Sequence, residues 1–156
     1  MRGRPCIGVI GAGTCDKAQA ALAEEVGRLL ARAGALVVSG GLAGVMEAAC
    51  RGAKAAGGTT VGLLPGLSRE DANEWVDVAI PTGLGEARNV LVVRAADALI
   101  AIGGEFGTLS EIGFALKTGK PVVGLGTWDL PQRPDAIRRA SSATEAVSLA
   151  LAHCNR

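Results

Sequence analysis

Aromatic residues are nearly missing from this chain: two Phe, two Trp and no Tyr among 156 residues. Histidine occurs once, at His153. With no second histidine, a Ser-His-Asp or Cys-His nucleophile system is excluded, and His153 reads as structural or solvated. The four cysteines, Cys6, Cys15, Cys50 and Cys154, form no C-x-x-C pair, so the donor set of a zinc site is missing too. Cys6 and Cys50 read as small buried hydrophobes; Cys15 falls in a candidate ligand loop. Neither sign of charge dominates, with 16 Lys and Arg against 15 Asp and Glu for a formal net charge of +1. The charges are interspersed. Without a basic stripe or stacking aromatics, a nucleic-acid polymer is not an expected partner. No apolar run approaches the roughly 18 residues that a membrane span needs. Residues 1–5 lead straight into a strand-like run, with neither the apolar stretch nor the cleavage site of a signal peptide. These absences lead to the expectation of a cytoplasmic protein with reduced thiols, no metal site and no membrane contact.

What the chain has instead is glycine and aliphatic surface: 23 Gly and 49% hydrophobic residues, with a mean hydropathy of +0.33. The length suits one domain over residues 1–156, large enough to bury its own core. Either that core is unusually continuous or part of the apolar surface is covered by a second copy, and a homodimer is expected.

Apolar runs alternate with helical spacing along the chain. Strands are predicted at 6–10, 35–39, 59–64, 76–80, 98–102 and 121–125. Helices are predicted from Asp16 to Gly34, and over 44–56, 85–96, 108–118 and 142–153; Asp16 with Gln19 and Ser142 with Glu145 have capping-box spacing. The stretch 126–140 reads as irregular. Continuously apolar strands between helices indicate an α/β, Rossmann-like fold: a mostly parallel sheet with helices on both faces. Such folds bind ligands at the carboxyl ends of their strands.

Three glycine-rich turns follow strands. The first, Gly11-Ala12-Gly13-Thr14-Cys15-Asp16, begins like the dinucleotide fingerprint, but Asp16 stands where the third glycine belongs. The second strand ends Val38-Ser39-Gly40-Gly41, without the acid that holds a ribose, so a usual NAD site is disfavoured. The second turn, SGGLAGVMEA at 39–48, places Gly40, Gly41 and Gly44 before Val45 and Met46 at a helix start. The third, IGGEFGTLSE at 102–111, does the same with Gly103, Gly104, Gly107 and Thr108. Glycine lets backbone N–H groups converge on an anion, and the helix N-terminus adds positive potential. Two such turns point to a phosphate-bearing small molecule. Glu105 sits awkwardly among them, since it repels phosphate unless it points away. Glu111 completes the T-x-x-E spacing of a capping box with Thr108, and spacing alone favours that role over a carboxylate beside a sugar. Arg88, followed by Asn89 near a helix start, reads equally as a solvated arginine or as a bidentate partner of phosphate.

Residues 39–66 resemble the first signature of the Lonely-guy family, and IGGEFGTLSE is similar to its second, P-G-G-x-G-T-x-x-E, with Gly104, Gly107, Thr108 and Glu111 in matching places. The resemblance covers about residues 6 to 125. It implies a Rossmann-like homodimer. In the hydrolase branch it implies cleavage of the N-glycosidic bond of nucleoside 5′-monophosphates such as cytokinin riboside monophosphates, with Glu111 and Arg88 in the catalytic positions and the glycine loops on the 5′-phosphate. This sequence departs from that branch. Glu86 and Asn89 replace a His and a Lys, Gly103 replaces the motif proline, and Glu105 replaces a motif glycine. Around Arg88-Asn89 the chain is similar to a second branch, which includes molybdenum-cofactor carriers. There no bond is cleaved and no cofactor is required, and the molybdenum cofactor is a carried ligand. The reading taken forward is a binder of a phosphorylated nucleotide-like or pterin ligand, with the phosphoribohydrolase as the alternative.

Overall fold

The computed structural model describes residues 3–154. In chain order the elements are β1 (Cys6–Gly11), α1 (Lys17–Arg32), β2 (Leu36–Ser39), α2 (Val45–Ala55), β3 (Thr59–Leu64), β4 (Val78–Pro81), α3 (Asn89–Ala95), β5 (Ala98–Ile102), α4 (Phe106–Lys117), β6 (Val122–Leu125), β7 (Arg138–Arg139) and α5 (Ala143–Ala152). The strands form one seven-stranded sheet in the order β4-β3-β2-β1-β5-β6-β7. Every pairing in it is parallel. The expected α/β Rossmann-like architecture is what the chain adopts. Met1, Arg2, Asn155 and Arg156, which the expected 1–156 domain includes, lie outside the described residues.

Alternation along each strand sends side chains to two separate cores. Ile100 and Ile102 of β5 join Val26 and Leu30 of α1, Ala49 and Ala53 of α2, and Ala146 and Val147 of α5. Their neighbours Leu99 and Ala101 join Val92 and Val93 of α3 with Ile112 and Ala115 of α4 on the opposite face. This two-sided burial is why these strands are apolar at every position. The largest side chains in these layers, among them Ile7, Ile10, Leu30, Leu99 and Ile100, have essentially no exposure.

Local chemistry sets the helix starts. Asp16 accepts a bond from the Gln19 backbone N–H at 2.7 Å, and the Gln19 side-chain oxygen accepts one from the Asp16 N–H at 3.4 Å, completing the predicted capping box. At α5 the Ser142 hydroxyl accepts from the Glu145 N–H at 3.1 Å, but the Glu145 carboxylate reaches one residue further back than predicted, to the Ser141 N–H and hydroxyl. Two other expectations need correction. The helix predicted over 85–96 is a 3-10 turn, Gly85–Arg88, followed by α3. Gly85 stands at φ +57°, outside the helical range, so the chain enters that segment through a turn. The stretch predicted irregular contains β7, which adds a short strand to the β6 edge. Among the cysteines, Cys50 is buried as expected, whereas Cys6 at the start of β1 is only partly so.

Chain direction across the sheet reverses beside β1. Strands β2, β3 and β4 are laid down to one side of it, and β5, β6 and β7 to the other. The loops after β1 and β5 therefore diverge to opposite faces and open a crevice at the carboxyl ends of these two strands.

Helices α1 and α2 cross at very close range because glycines form the contact. A Cβ on Gly27 would lie 1.9 Å from the Ala49 carbonyl oxygen, and one on Gly52 would lie 1.9 Å from the Glu24 carbonyl oxygen. The opposing atoms are backbone, so only a shift of a whole helix relieves the clash. We expect Gly52→Ala to destabilise the protein by about 1–3 kcal/mol in urea denaturation, although alanine gains about 1 kcal/mol in helix propensity. An unchanged or higher midpoint would show that the crossing is looser than described.

Candidate functional site

The crevice is a cleft of about 370 Å³, within the range of small-molecule sites. Gly11, Ala12 and Gly13 come from the loop after β1, Leu42 and Met46 from the turn into α2, and Pro65 from the end of β3. Gly85, Glu86, Arg88 and Asn89 line it from the start of α3, and Glu105, Gly107, Thr108 and Glu111 from the start of α4. Of the residues singled out in the sequence, the cleft thus brings together Gly11, Gly13, Met46, Arg88, Asn89, Gly107, Thr108 and Glu111.

The remaining candidates shape the walls rather than line them. Gly40 lies directly behind Arg88, where a Cβ would fall 1.8 Å from Nη1. Gly11 is packed against Val45, whose backbone N–H donates to the Ala12 carbonyl at 3.1 Å. Gly44, at φ +66°, abuts the same Ala12 carbonyl, and Gly41 abuts Leu64. Gly103 faces the Gln19 side chain and Gly104 faces Thr108. Thr14 and Cys15 do not line the cleft. Sequence reasoning passed over Ala12, Leu42, Pro65, Gly85 and Glu86 as lining residues. Their shared signal is position: each follows the carboxyl end of a strand or sits one turn from a candidate.

Glu111 is not a capping residue. Helix α4 begins two residues earlier than predicted, at Phe106, so Thr108 and Glu111 are its third and sixth residues and both are buried. The spacing that resembles a capping box instead places both side chains on the cleft. Glu111 is 7% exposed, and burial, only partly offset by the Arg88 charge, raises its carboxyl from the usual 4.5 to about 8. It is therefore largely protonated at neutral pH. In that form it donates a hydrogen bond or a proton; ionised, it stabilises a cation.

Arg88 is not a solvated arginine. It is 8% exposed, and its buried Nε has no hydrogen-bond partner among the described residues. Burial lowers its pKa, while Glu111 and then Glu86 act to raise it. None of the four ion pairs among the described residues includes Arg88 or Glu111. A guanidinium buried with an unused donor is costly unless something else completes it. Asn89, 9% exposed, donates to the Ser110 hydroxyl at 3.2 Å, and that hydroxyl donates to the Gly107 carbonyl at 2.6 Å. This chain ties the start of α3 to the start of α4 and fixes the distance between the two walls.

Glu111 makes stability depend on pH with a defined sign. Between about 4.5 and 8 the folded protein holds a proton that the unfolded chain has released. Its contribution is fully present below 4.5 and is lost as pH rises through 8. Denaturation of wild type and Glu111→Gln side by side should show the variant gaining on wild type across that window, by a few kcal/mol at the upper end. Parallel pH curves for the two proteins would exclude a raised Glu111.

Among the known proteins that resemble the chain are two solved structures and one relative in sequence. A molybdenum cofactor binding protein of the phototrophic bacterium Rippkaea orientalis is 37% identical and superimposes with a TM-score of 0.91, covering 97% of this chain and 98% of that one. The Moco carrier protein of Chlamydomonas reinhardtii is 36% identical with a TM-score of 0.89, over 98% and 99% of the two chains. A cytokinin riboside 5′-monophosphate phosphoribohydrolase of Mycobacterium tuberculosis is 36% identical over 116 residues, which span 69% of this chain but 62% of that protein. The likeness to the Lonely-guy superfamily, drawn from the two glycine signatures, and to its molybdenum-cofactor-carrier branch, drawn from the sequence around Arg88-Asn89, is borne out. The sequence model of the SLOG cluster4 family matches residues 4–153, and the chain belongs to that family.

Proposed function

We propose that this protein binds a phosphorylated small molecule, a pterin of the molybdenum-cofactor type or a nucleotide, in the cleft between β1 and β5. The observation that carries this reading is the Arg88 side chain, buried in the cleft wall with an unpartnered Nε. A phosphate or other anion supplies the missing acceptor, and a guanidinium suits phosphate better than any other side chain does. Gly11, Gly13 and Gly107 bring bare backbone to the same cleft, and the α4 N-terminus adds positive potential. No Cys or His lines the cleft among the described residues. The cleft residues would therefore hold the phosphate and heterocycle of such a ligand, with no thiolate or imidazole offered to a carried molybdenum.

The phosphoribohydrolase is a second reading, favoured by the presence of Arg88 and Glu111 in one cleft. There the glycosidic C–N bond breaks as water adds to C1′, and the base leaves with a proton. Arg88 neutralises the substrate phosphate. Glu111 either stabilises the sugar cation or, in the neutral form that its burial favours, delivers the proton. Carrying a ligand without chemistry is the preferred reading, because the His and Lys of the hydrolase pattern are Glu86 and Asn89 here.

The two readings separate in one experiment. Molybdopterin and AMP are titrated calorimetrically into wild type and Arg88→Ala, and adenine release from AMP is followed in wild type and Glu111→Ala. Binding that weakens at least about tenfold in Arg88→Ala, with no base released by any protein, is expected. Base release lost in Glu111→Ala makes the protein a hydrolase; absence of all binding removes both readings.

A homodimer belongs to the same proposal. Leu91 of α3 and Phe106 and Phe114 of α4 are exposed, Phe106 by 79%, and a second copy covers such a surface most economically. Light scattering at micromolar concentration is expected to give twice the chain mass, and a monomer there would count against it.

A further inference from the structure

The side chains of the cleft do not match a ligand that is only an anion. Among the described residues Arg88 is its one cation, whereas three carboxyl groups line it: Glu86, Glu105 and Glu111. Glu111 is held neutral by burial, and the other two are exposed at the rim. Glu105 is the less expected, because it replaces a motif glycine in the second signature and so adds a carboxylate at a phosphate loop. Its position at the head of α4 explains nothing about it. Glu105 is the N-cap residue, yet its side chain makes no capping bond, unlike Asp16 and Ser142 at α1 and α5. No hydrogen bond or ion pair of its carboxylate occurs among the described residues.

The backbone that presents this carboxylate is held firmly. The Trp128 indole N–H donates to the Glu105 carbonyl at 3.1 Å, and the Trp128 ring packs on Phe106 with centroids 5.7 Å apart. Two of the four aromatic residues in the chain thus brace this one loop. Opposite, Thr127 donates its hydroxyl to the Gly103 carbonyl at 2.5 Å. A free carboxylate on a braced loop, at the rim of a cleft with a buried unpartnered arginine, has the form of a recognition element.

We propose that Glu105 reads the 2-amino-4-oxopyrimidine edge of the bound ligand, the edge that guanine and pterins share. This rests on the cleft binding a phosphorylated heterocycle, as proposed above, and assigns the part of that ligand which faces away from Arg88. The edge presents a ring N–H and an exocyclic amino group side by side, two parallel donors for the two carboxylate oxygens. Hypoxanthine offers only the ring N–H. Adenine offers a bare ring nitrogen at the same place, whose lone pair faces the carboxylate. A site whose polar groups must be matched discriminates more sharply against the ligand that lacks the donor than an apolar pocket does.

GMP, IMP and AMP have the same phosphate and ribose and differ at this edge alone, so calorimetric titration of the three isolates it. Wild type is expected to bind GMP at least about tenfold more tightly than AMP, with IMP between them. Glu105→Gln, which keeps the size but turns one acceptor into a donor, is expected to bring the three within about twofold of each other. Its thermal midpoint should be unchanged, since the side chain is exposed and supports no fold contact. Equal binding of GMP and AMP by wild type, or a GMP preference that survives in Glu105→Gln, overturns the assignment and leaves the phosphate reading standing. Failure of all three nucleotides and of pyrophosphate to bind removes the phosphate reading and this assignment with it.

Discussion

A guanidinium and a carboxyl group buried at the starts of two helices, beside a largely apolar sheet, are the constraint around which this molecule is arranged. Taking Arg88 and Glu111 out of water is unfavourable by several kcal/mol for each charged form, and no ion pair between them offsets it. The protein responds in two ways. Glu111 takes a proton and becomes neutral near pH 7. Arg88 stays charged with a donor unused. Neither state is an efficient way to stabilise a fold, and both suit a site completed by something that binds.

The surrounding architecture makes that burial possible. Gly40 leaves the space that the Arg88 head group occupies, and any larger residue at 40 would displace it. The Asn89–Ser110–Gly107 hydrogen-bond chain joins the two helix starts that carry the arginine and the glutamate. Parallel strands with a reversal of chain direction beside β1 open the crevice into which both project. The close glycine-mediated crossing of α1 on α2 belongs to the opposite face. It fixes the helix whose N-terminal turn, at Val45 and Met46, forms another wall.

Under the proposed function the same cleft suits a carrier or, with small changes, a hydrolase. Both need the phosphate cradle. A hydrolase must also control the protonation of Glu111 against a developing sugar cation, and here burial controls it toward the neutral acid. Glu86 and Glu105, both departures from the hydrolase pattern, add carboxylates at the rim.

Much of this was legible before any coordinates. Strands β3 and β5 fall where the apolar runs place them, because strands buried on both faces leave no other pattern. The glycine turns mark the correct end of the sheet, and the Asp16–Gln19 cap follows from short-range chemistry. Tertiary structure alone decided the rest. T-x-x-E spacing is the same for a capping box and for two residues facing a cleft, and only the true start of α4, set by the backbone turns at Gly103 and Gly104, separates them. Arg88 reads equally as a solvated arginine or as a phosphate partner until Gly40, 48 positions earlier in sequence, is found behind it. Burial is a property of distant segments brought together, so the sequence determined which residue types and turns were available, and the packing of the two faces determined which became the site.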